Sequence, residues 1–280
     1  MNEPVFLMTR TPPIAYRALL WDTFFVQRNR GIDLAVHFPW MDAEHESIWY
    51  GVLLVDDGVV AGLVLRGHEP LSDEREPRIA SIGLVCVATT YRGRGLSANL
   101  LTEALNALRN LGFDAAILWT GKPAVYSTLG FAGVDRNEFG WIERPLSSAR
   151  HVLDLHVMRW PDLQEVISQN RGLPPFALYA QRVTWPDQNA STILLFDSHG
   201  PAVAEWSGAT EALAKMFTAI MPPRWRLNAL NGDDLPIALE AGGATVNLQP
   251  SCLQMWKSLR PRFEGINWSM KCSLRVLDRI

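Results

Sequence analysis

The segment Val87-Ala-Thr-Thr-Tyr-Arg92-Gly93-Arg94-Gly95-Leu96-Ser97 sets two glycines and two arginines just before a run with helical periodicity. At a strand-to-helix junction the first N–H groups of the helix have no internal partner, and with the helix dipole they form a site for an anion. Gly93 and Gly95 lack a Cβ and let the backbone approach a phosphate closely. Arg92 and Arg94 either add positive charge there or simply face solvent. A basic turn of this kind also serves purely structural ends, so its neighbours must decide. No Gly-Lys-Ser/Thr follows, as a Walker A loop requires, and the third glycine of a dinucleotide fingerprint is absent. Nucleoside triphosphate hydrolysis and hydride transfer both lose support.

Other chemistry-bearing residues are scattered. Glu44, His45, Glu46, His68 and Glu69 are acid–base candidates, although solvated loop residue is the plainer reading of each. Cys86 lies in an apolar run without an adjacent histidine and reads as a packed, inert thiol. Phe38, Trp40, Trp49 and Trp119 either line a pocket or fill the core. Cys86, Cys252 and Cys272 are odd in number and lack metal-ligand spacing, which points to a reducing, cytoplasmic setting without a disulfide framework or a metal site.

These residues need elements to position them. The 280-residue length favours two domains of about 140 residues. A composition of 48% hydrophobic and 20% charged residues is that of an ordinary globular chain. The net charge of -3, with Lys and Arg dispersed, gives no footprint for nucleic acid. No window reaches the roughly 18 apolar residues of a membrane span.

Residues 14–30 read as a helix ended by Gly31, and residues 37–46 as a loop or short helix. Ile48 to Arg66 reads as a hairpin turning at Asp57 and Gly58. Ile79 to Val87 is a continuously apolar strand, buried on both faces. Leu100, Leu101, Ala104, Leu105, Leu108 and Leu111 follow the helical period, with Gly112 as the stop. AAILWT is then a strand, AVYSTLG a short helix and FAGVDRNEFGWIE a final strand pair.

In this setting the loop resembles the pyrophosphate loop of the GNAT acetyltransferase superfamily, Arg/Gln-x-x-Gly-x-Gly/Ala after a strand ending Val-x-Pro-x-x-Arg. Arg92-Gly-Arg-Gly95-Leu-Ser97 fits, with Ser97 in place of Gly or Ala and Thr89 in place of Pro. Tyr126-Ser-Thr-Leu-Gly130-Phe131 resembles a second family element at the expected distance. The resemblance implies an α/β (α+β) fold with a mixed central sheet flanked by helices. It also implies two splayed strands, Ile82 to Val87 and Ile117 to Trp119, that admit the pantetheine arm of acetyl-CoA or another acyl-CoA. Backbone groups of Val85, Cys86 and Val87 would bind that arm, residues Arg92 to Ser97 the pyrophosphate, and an N–H near Val87 would polarise the thioester carbonyl. The family's reaction is direct attack of a neutral amine on the thioester in a ternary complex. Tyr126 is then either an aromatic packed under the cofactor or the general acid for the departing thiolate. The apolar third strand has no carboxylate where some relatives place a glutamate, so deprotonation of the amine runs through water.

RPLSSAR reads as a linker, dividing the chain into domains 1–146 and 147–280. The second half reads as strand HVLDLHV, helix PDLQEVISQ, an irregular aromatic stretch, hairpin TILLFDSHGPAVAEWSG, helix ATEALAKMFTAI, strand RWRLNAL, helix DDLPIALEAGG and strand CLQMWKSL. It has no phosphate cradle and resembles the degenerate C-terminal half of tandem GNAT proteins, a second GNAT-like α/β domain that closes the acceptor pocket or serves as scaffold or homodimer surface. The acceptor is expected to be a small-molecule amine. The rival readings are a tandem aminoacyl transferase of the Fem type, which the intact loop and acidic charge disfavour, and a non-catalytic acyl-CoA sensor.

Overall fold

The computed structural model describes residues 3–29, 31–42, 44–68, 77–145, 153–161, 171–268, 274 and 276–279. In chain order the first half gives β1 (Val5–Thr9), α1 (Ile14–Phe24), α2 (Leu34–His37), β2 (Ile48–Val55), β3 (Gly58–His68), β4 (Ile79–Val87), α3 (Leu96–Asn110), β5 (Ala115–Trp119), α4 (Pro123–Ser127), β6 (Ala132–Gly133) and β7 (Asn137–Glu143). The second gives β8 (His156–Trp160), β9 (Tyr179–Trp185), β10 (Ala190–Asp197), β11 (Gly200–Ser207), α5 (Thr210–Ile220), β12 (Arg224–Leu230), α6 (Asp234–Ala241), β13 (Thr245–Pro250) and β14 (Gln254–Ser258).

Two seven-stranded sheets result, and both have the same plan. From edge to edge the first runs β1-β2-β3-β4-β5-β14-β6, and the second runs β8-β9-β10-β11-β12-β7-β13. In each, only the pair before the central helix and after it is parallel, β4 with β5 and β11 with β12. The sixth place of each sheet is filled by a strand from the other half of the chain. β14 pairs with β5 and β6, while β7 pairs with β12 and β13. The strand pair expected from FAGVDRNEFGWIE is therefore split between the sheets, and CLQMWKSL joins the first sheet instead of the second. A cut at 146 separates neither sheet cleanly. Asp135 clamps the crossing: its carboxylate accepts from the backbone N–H of Asn137 (2.9 Å), Leu253 (2.8 Å) and Gln254 (3.0 Å) and from the Ser251 hydroxyl. Burial raises its pKa, but these hydrogen bonds outweigh burial and leave it below the usual carboxylate range.

Each sheet buries one face under helices. Leu100, Leu101, Ala104, Leu105 and Leu108 of α3 pack on Leu63, Leu65, Ala80, Ile82, Ala116 and Leu118. Each fully buried leucine contributes about 1.5–3 kcal/mol of transfer free energy. The opposite face packs on α1 and on the aromatic stretch that follows it, through Tyr16, Leu20, Phe38, Trp40, Tyr50, Val64 and Cys86. In the second sheet Leu213, Met216 and Phe217 of α5 and Leu235 and Leu239 of α6 cover Val203, Leu227 and Ile142. The β2–β3 turn is one residue earlier than the sequence implied. Asp56 and Asp57, both with positive φ, make a two-residue loop and Gly58 already pairs with Val55. The expected helix PDLQEVISQ lies outside the described residues, apart from Pro161. Among those described, no helix is long and apolar enough to cross a membrane.

Candidate active site

β4 and β5 are hydrogen-bonded only where Ile79, Ala80 and Ser81 pair with Ala115, Ala116 and Ile117. Beyond Ser81 the strands part, and the β4 edge that faces β5 is left without a strand partner up to Val87. Its other edge stays paired, with Cys86 opposite Gly62 and Val87 opposite Ala61. Within this stretch β4 is bulged. The register against β3 shifts between Gly62 and Val64, and Leu84 takes the left-handed region at φ +51°. A bulky residue in that region is strained, and the surroundings hold it there. The buried Tyr16 hydroxyl donates to the Leu84 carbonyl at 3.1 Å, and Gly62 makes room for the Tyr16 ring, since a Cβ on Gly62 would lie 2.3 Å from it.

The bulge sets which groups line the parting. Val85 and Val87 are half-buried on the α3 side, while Cys86 turns into the opposite core with its Sγ 3.8 Å from the Gly62 carbonyl. Burial pushes the Cys86 thiol up to about 12, so it stays protonated and inert.

At the end of β4 the basic loop turns into α3. Gly93 and Gly95 adopt φ +77° and +75°, which L-residues with a side chain rarely take, and a Cβ built on either would meet nothing within 4 Å. The space in front of both is open. Gly95 is the N-cap of α3, no side chain caps the helix and no acidic residue stands in its first turn. A 15-residue helix thus presents bare N–H groups and the positive end of its dipole to that open space. Leu96 is buried and anchors the first turn, and Ser97 is half-buried beside it. Arg92 and Arg94 are exposed, but both brace the loop. Arg92 Nε donates to the Val87 carbonyl (3.1 Å), and Arg94 Nη2 donates to the Thr90 carbonyl (3.0 Å) while its guanidinium lies over Tyr91.

Tyr126 sits on the short helix after β5. Its carbonyl accepts from the Leu129 and Phe131 N–H groups, Gly130 supplies the left-handed turn at φ +82°, and the ring meets buried Phe131 edge-on with centroids 6.2 Å apart. That is the physical content of the Tyr-x-x-x-Gly-Phe spacing. The side chain is half-buried, packed on the α3-side core. Burial raises its pKa, against a smaller opposing effect of a hydrogen bond with Thr120, so it holds its proton throughout neutral pH.

The acid–base candidates among the early residues fall at the wrong end of the sheet. His68 pairs with Ile79, at the start of β4, and about 20 Å of extended strand separate Ile79 from Val85. Glu44 and Glu46 are exposed and His45 is half-buried in the segment leading into β2, at that same end, and Glu69 lies outside the described residues. His68 bonds the Ser81 hydroxyl at 3.1 Å, and burial, followed by the charge of Arg66, pushes it down to about 4. Of the proposed pocket aromatics, Phe38, Trp40 and Trp49 are core residues, and only Trp119 remains half-buried at the end of β5. Tyr16 and Leu84 went unrecognised in the sequence. The available signal was Gly62, a glycine inside a strand, which marks a close approach.

Residues 14–131 match the model of the Acetyltransferase (GNAT) family. The stretch that carries the Arg92–Ser97 loop and the Tyr126 motif is thus similar to the GNAT family, as those residues implied. The chain is 36% identical over 78 residues to the uncharacterized N-acetyltransferase YhbS of Escherichia coli, a match that covers 27% of this chain and only 44% of that relative. Over nearly its whole described length the chain is similar in fold to a GCN5-related N-acetyltransferase from Anabaena variabilis, with a TM-score of 0.63 at 15% identity, covering 91% of this chain and 73% of the other. A tandem GNAT protein from the clavulanic acid biosynthesis pathway superposes with a TM-score of 0.55 at 11% identity, covering 92% and 99%. The fold is that of two GNAT-like domains.

Proposed function

We propose that this chain is a cytoplasmic N-acyltransferase that moves an acyl group, acetyl in the first instance, from acyl-CoA to the amine of a small molecule. The observation that carries the reading is the unpaired edge of β4 running into the uncapped N-terminus of α3, with open space before Gly93 and Gly95. A pantetheine amide needs strand-like backbone partners, and a pyrophosphate needs N–H groups and room. Both are in line here. The acyl-CoA substrate supplies an activated carbonyl on a thiol leaving group.

The chain's own groups then do three things. Backbone groups of Val85 to Val87 on the edge turned from β3 align the arm, and an N–H near Val87 stabilises the oxyanion as the neutral amine attacks and the C–N bond forms. Tyr126 gives its proton to the sulfur as the C–S bond breaks. The proton lost by the amine leaves through water, since no carboxylate stands on this stretch of β4.

An amine screen with acetyl-CoA and longer acyl-CoAs, read by release of free thiol, tests the activity. With an accepted amine, Tyr126→Phe should lower kcat by about 10²-fold while acyl-CoA affinity holds, the low end of general-acid effects because a thiolate is a modest base. Because burial raises the Tyr126 pKa, wild-type kcat should not decline until the pH exceeds the ordinary tyrosine value. Near-normal kcat in the variant, with reduced stability, would remove Tyr126 from the mechanism.

A further inference from the structure

A cavity of about 480 Å³ opens on the face of the second sheet that is turned away from α5 and α6. Phe139, Phe176, Leu195 and Leu253 give it an apolar wall, and Arg226, Asn228 and Arg279 bring polar groups to it. Its size is that of a small-molecule site. Arg226 and Asn228 alternate along β12 with Trp225, Leu227 and Ala229, which face the helices.

The cavity reaches the first sheet beside the C-terminal end of β5. The Leu253 carbonyl accepts from the Thr120 N–H at 2.8 Å, and the Arg279 guanidinium lies 5.8 Å from the ring centroid of Trp119. The parallel pairing ends at Ser81 and Ile117, so Trp119 lies on the part of β5 that has left β4. Trp119 packs with Ile117 and Trp256, on the side of the sheet opposite α3. The cavity therefore meets the first sheet beside the end of β5, past the point where β5 leaves β4, on the side opposite Tyr126 and α3.

Its polar groups are incompletely satisfied. Asp197 balances the Arg226 charge through contacts of 2.6 and 2.9 Å, yet Arg226 Nε and Asn228 Oδ1, in residues that are 8% and 3% exposed, have no hydrogen-bond partner among the described residues. Nε and Nη2 of Arg279 are also buried without a partner among the described residues. These two nitrogens are the donors of one guanidinium edge, spaced to fork onto the two oxygens of a carboxylate. Leaving such donors unmade in a buried site is costly, and a ligand oxyanion removes that cost. The carboxylates of Asp135 and Asp278 lie near enough to act on the Arg279 charge.

Resting on the acyltransfer reading, we propose that this cavity holds the acceptor, and that the acceptor is an amine with an apolar body and a carboxylate, the carboxylate on the Arg279 edge and an N–H or O–H on Asn228 Oδ1. The second half then supplies the acceptor site and the first half the acyl donor site.

The test uses the full chain and two probes, L-phenylalanine and the dipeptide Leu-Phe, each against its C-terminal amide, which keeps the shape and removes the charge. Calorimetry with CoA present should show each acid binding at least about 10-fold more tightly than its amide, the size expected for a charge-assisted pair. Arg279→Gln should erase that preference, and Phe139→Trp, which fills the cavity from its rim, should weaken acid and amide alike. Thiol release from acetyl-CoA should follow the same order. Equal binding of acid and amide, or a preference that survives Arg279→Gln, would overturn the proposal. Charge-selective binding by a chain that does not bind acetyl-CoA would support the cavity as a carboxylate site and overturn the acyltransfer reading alone.

Discussion

The two strand-to-helix junctions of this molecule, β4 into α3 and β11 into α5, occupy the same place in sheets of the same plan, yet their chemistry is opposite. Both follow a strand that pairs only briefly with its parallel neighbour, three residue pairs in one sheet and two in the other. At the first, Gly95 caps the helix, and a Cβ there or on Gly93 would meet nothing within 4 Å. At the second, the corresponding glycine, Gly208, has φ +114° and a Cβ on it would lie 2.7 Å from the Ala190 Cα, so the space is filled by the chain itself. The α5 N-cap is Ala209, and Glu211 stands in its first turn, where its charge opposes any anion. Topology alone thus makes a parting in the sheet. The loop decides whether that parting leaves room for an anion, and of these two junctions only the first does.

The contrast can be sharpened by substitution. The largest stability effect is expected at the clamp that joins the two sheets. Asp135→Ala leaves the Asn137, Leu253 and Gln254 N–H groups without their acceptor, and the loss should be about 4 kcal/mol by denaturant titration, both sheets melting together. Two separate transitions would show that the exchanged strands do not couple the halves. Next, alanine at the two junction glycines should give unequal costs: about 3 kcal/mol for Gly208→Ala, where strain and a backbone clash combine, and about 1 kcal/mol for Gly95→Ala, where only the positive φ opposes it. Equal melting temperatures for the two variants would contradict the account of a filled and an open loop. The smallest effect is expected at the bulge. Tyr16→Phe removes the hydroxyl that holds the Leu84 carbonyl and should cost about 1 kcal/mol, with unchanged acyl-CoA binding if the bulge persists.

The readable parts of the sequence were those in which local chemistry and local geometry coincide. The leucine period of α3, the glycines that require positive φ and the spacing of Tyr126 to Gly130 and Phe131 each specify a conformation within one turn or loop, so their placement could be read directly. Strand partners could not. β7 and β14 are short runs of mixed polar and apolar residues, and nothing in either run says that each completes the sheet of the other half. Asp135 marks the crossing, but its three backbone partners come from both sides of it. β13 escaped notice because it is an edge strand whose residues are mostly exposed or half-buried, which leaves little apolar alternation to detect. The described acidic and histidine candidates, Glu44, His45, Glu46 and His68, failed for a different reason. They precede or end strands on the side of the sheet from which β4 departs, and strand direction carries the reacting end about 20 Å away.

The central claim is that the open junction of the first half, and not its filled counterpart, takes the acyl donor. It is tested most directly by titrating acetyl-CoA into the wild-type chain and into Gly95→Val, with folding of the variant checked by a thermal melt. The account predicts one site per chain in the wild type and none in folded Gly95→Val, whose side chain fills the space before the helix N-terminus. Unchanged affinity in the variant would contradict it.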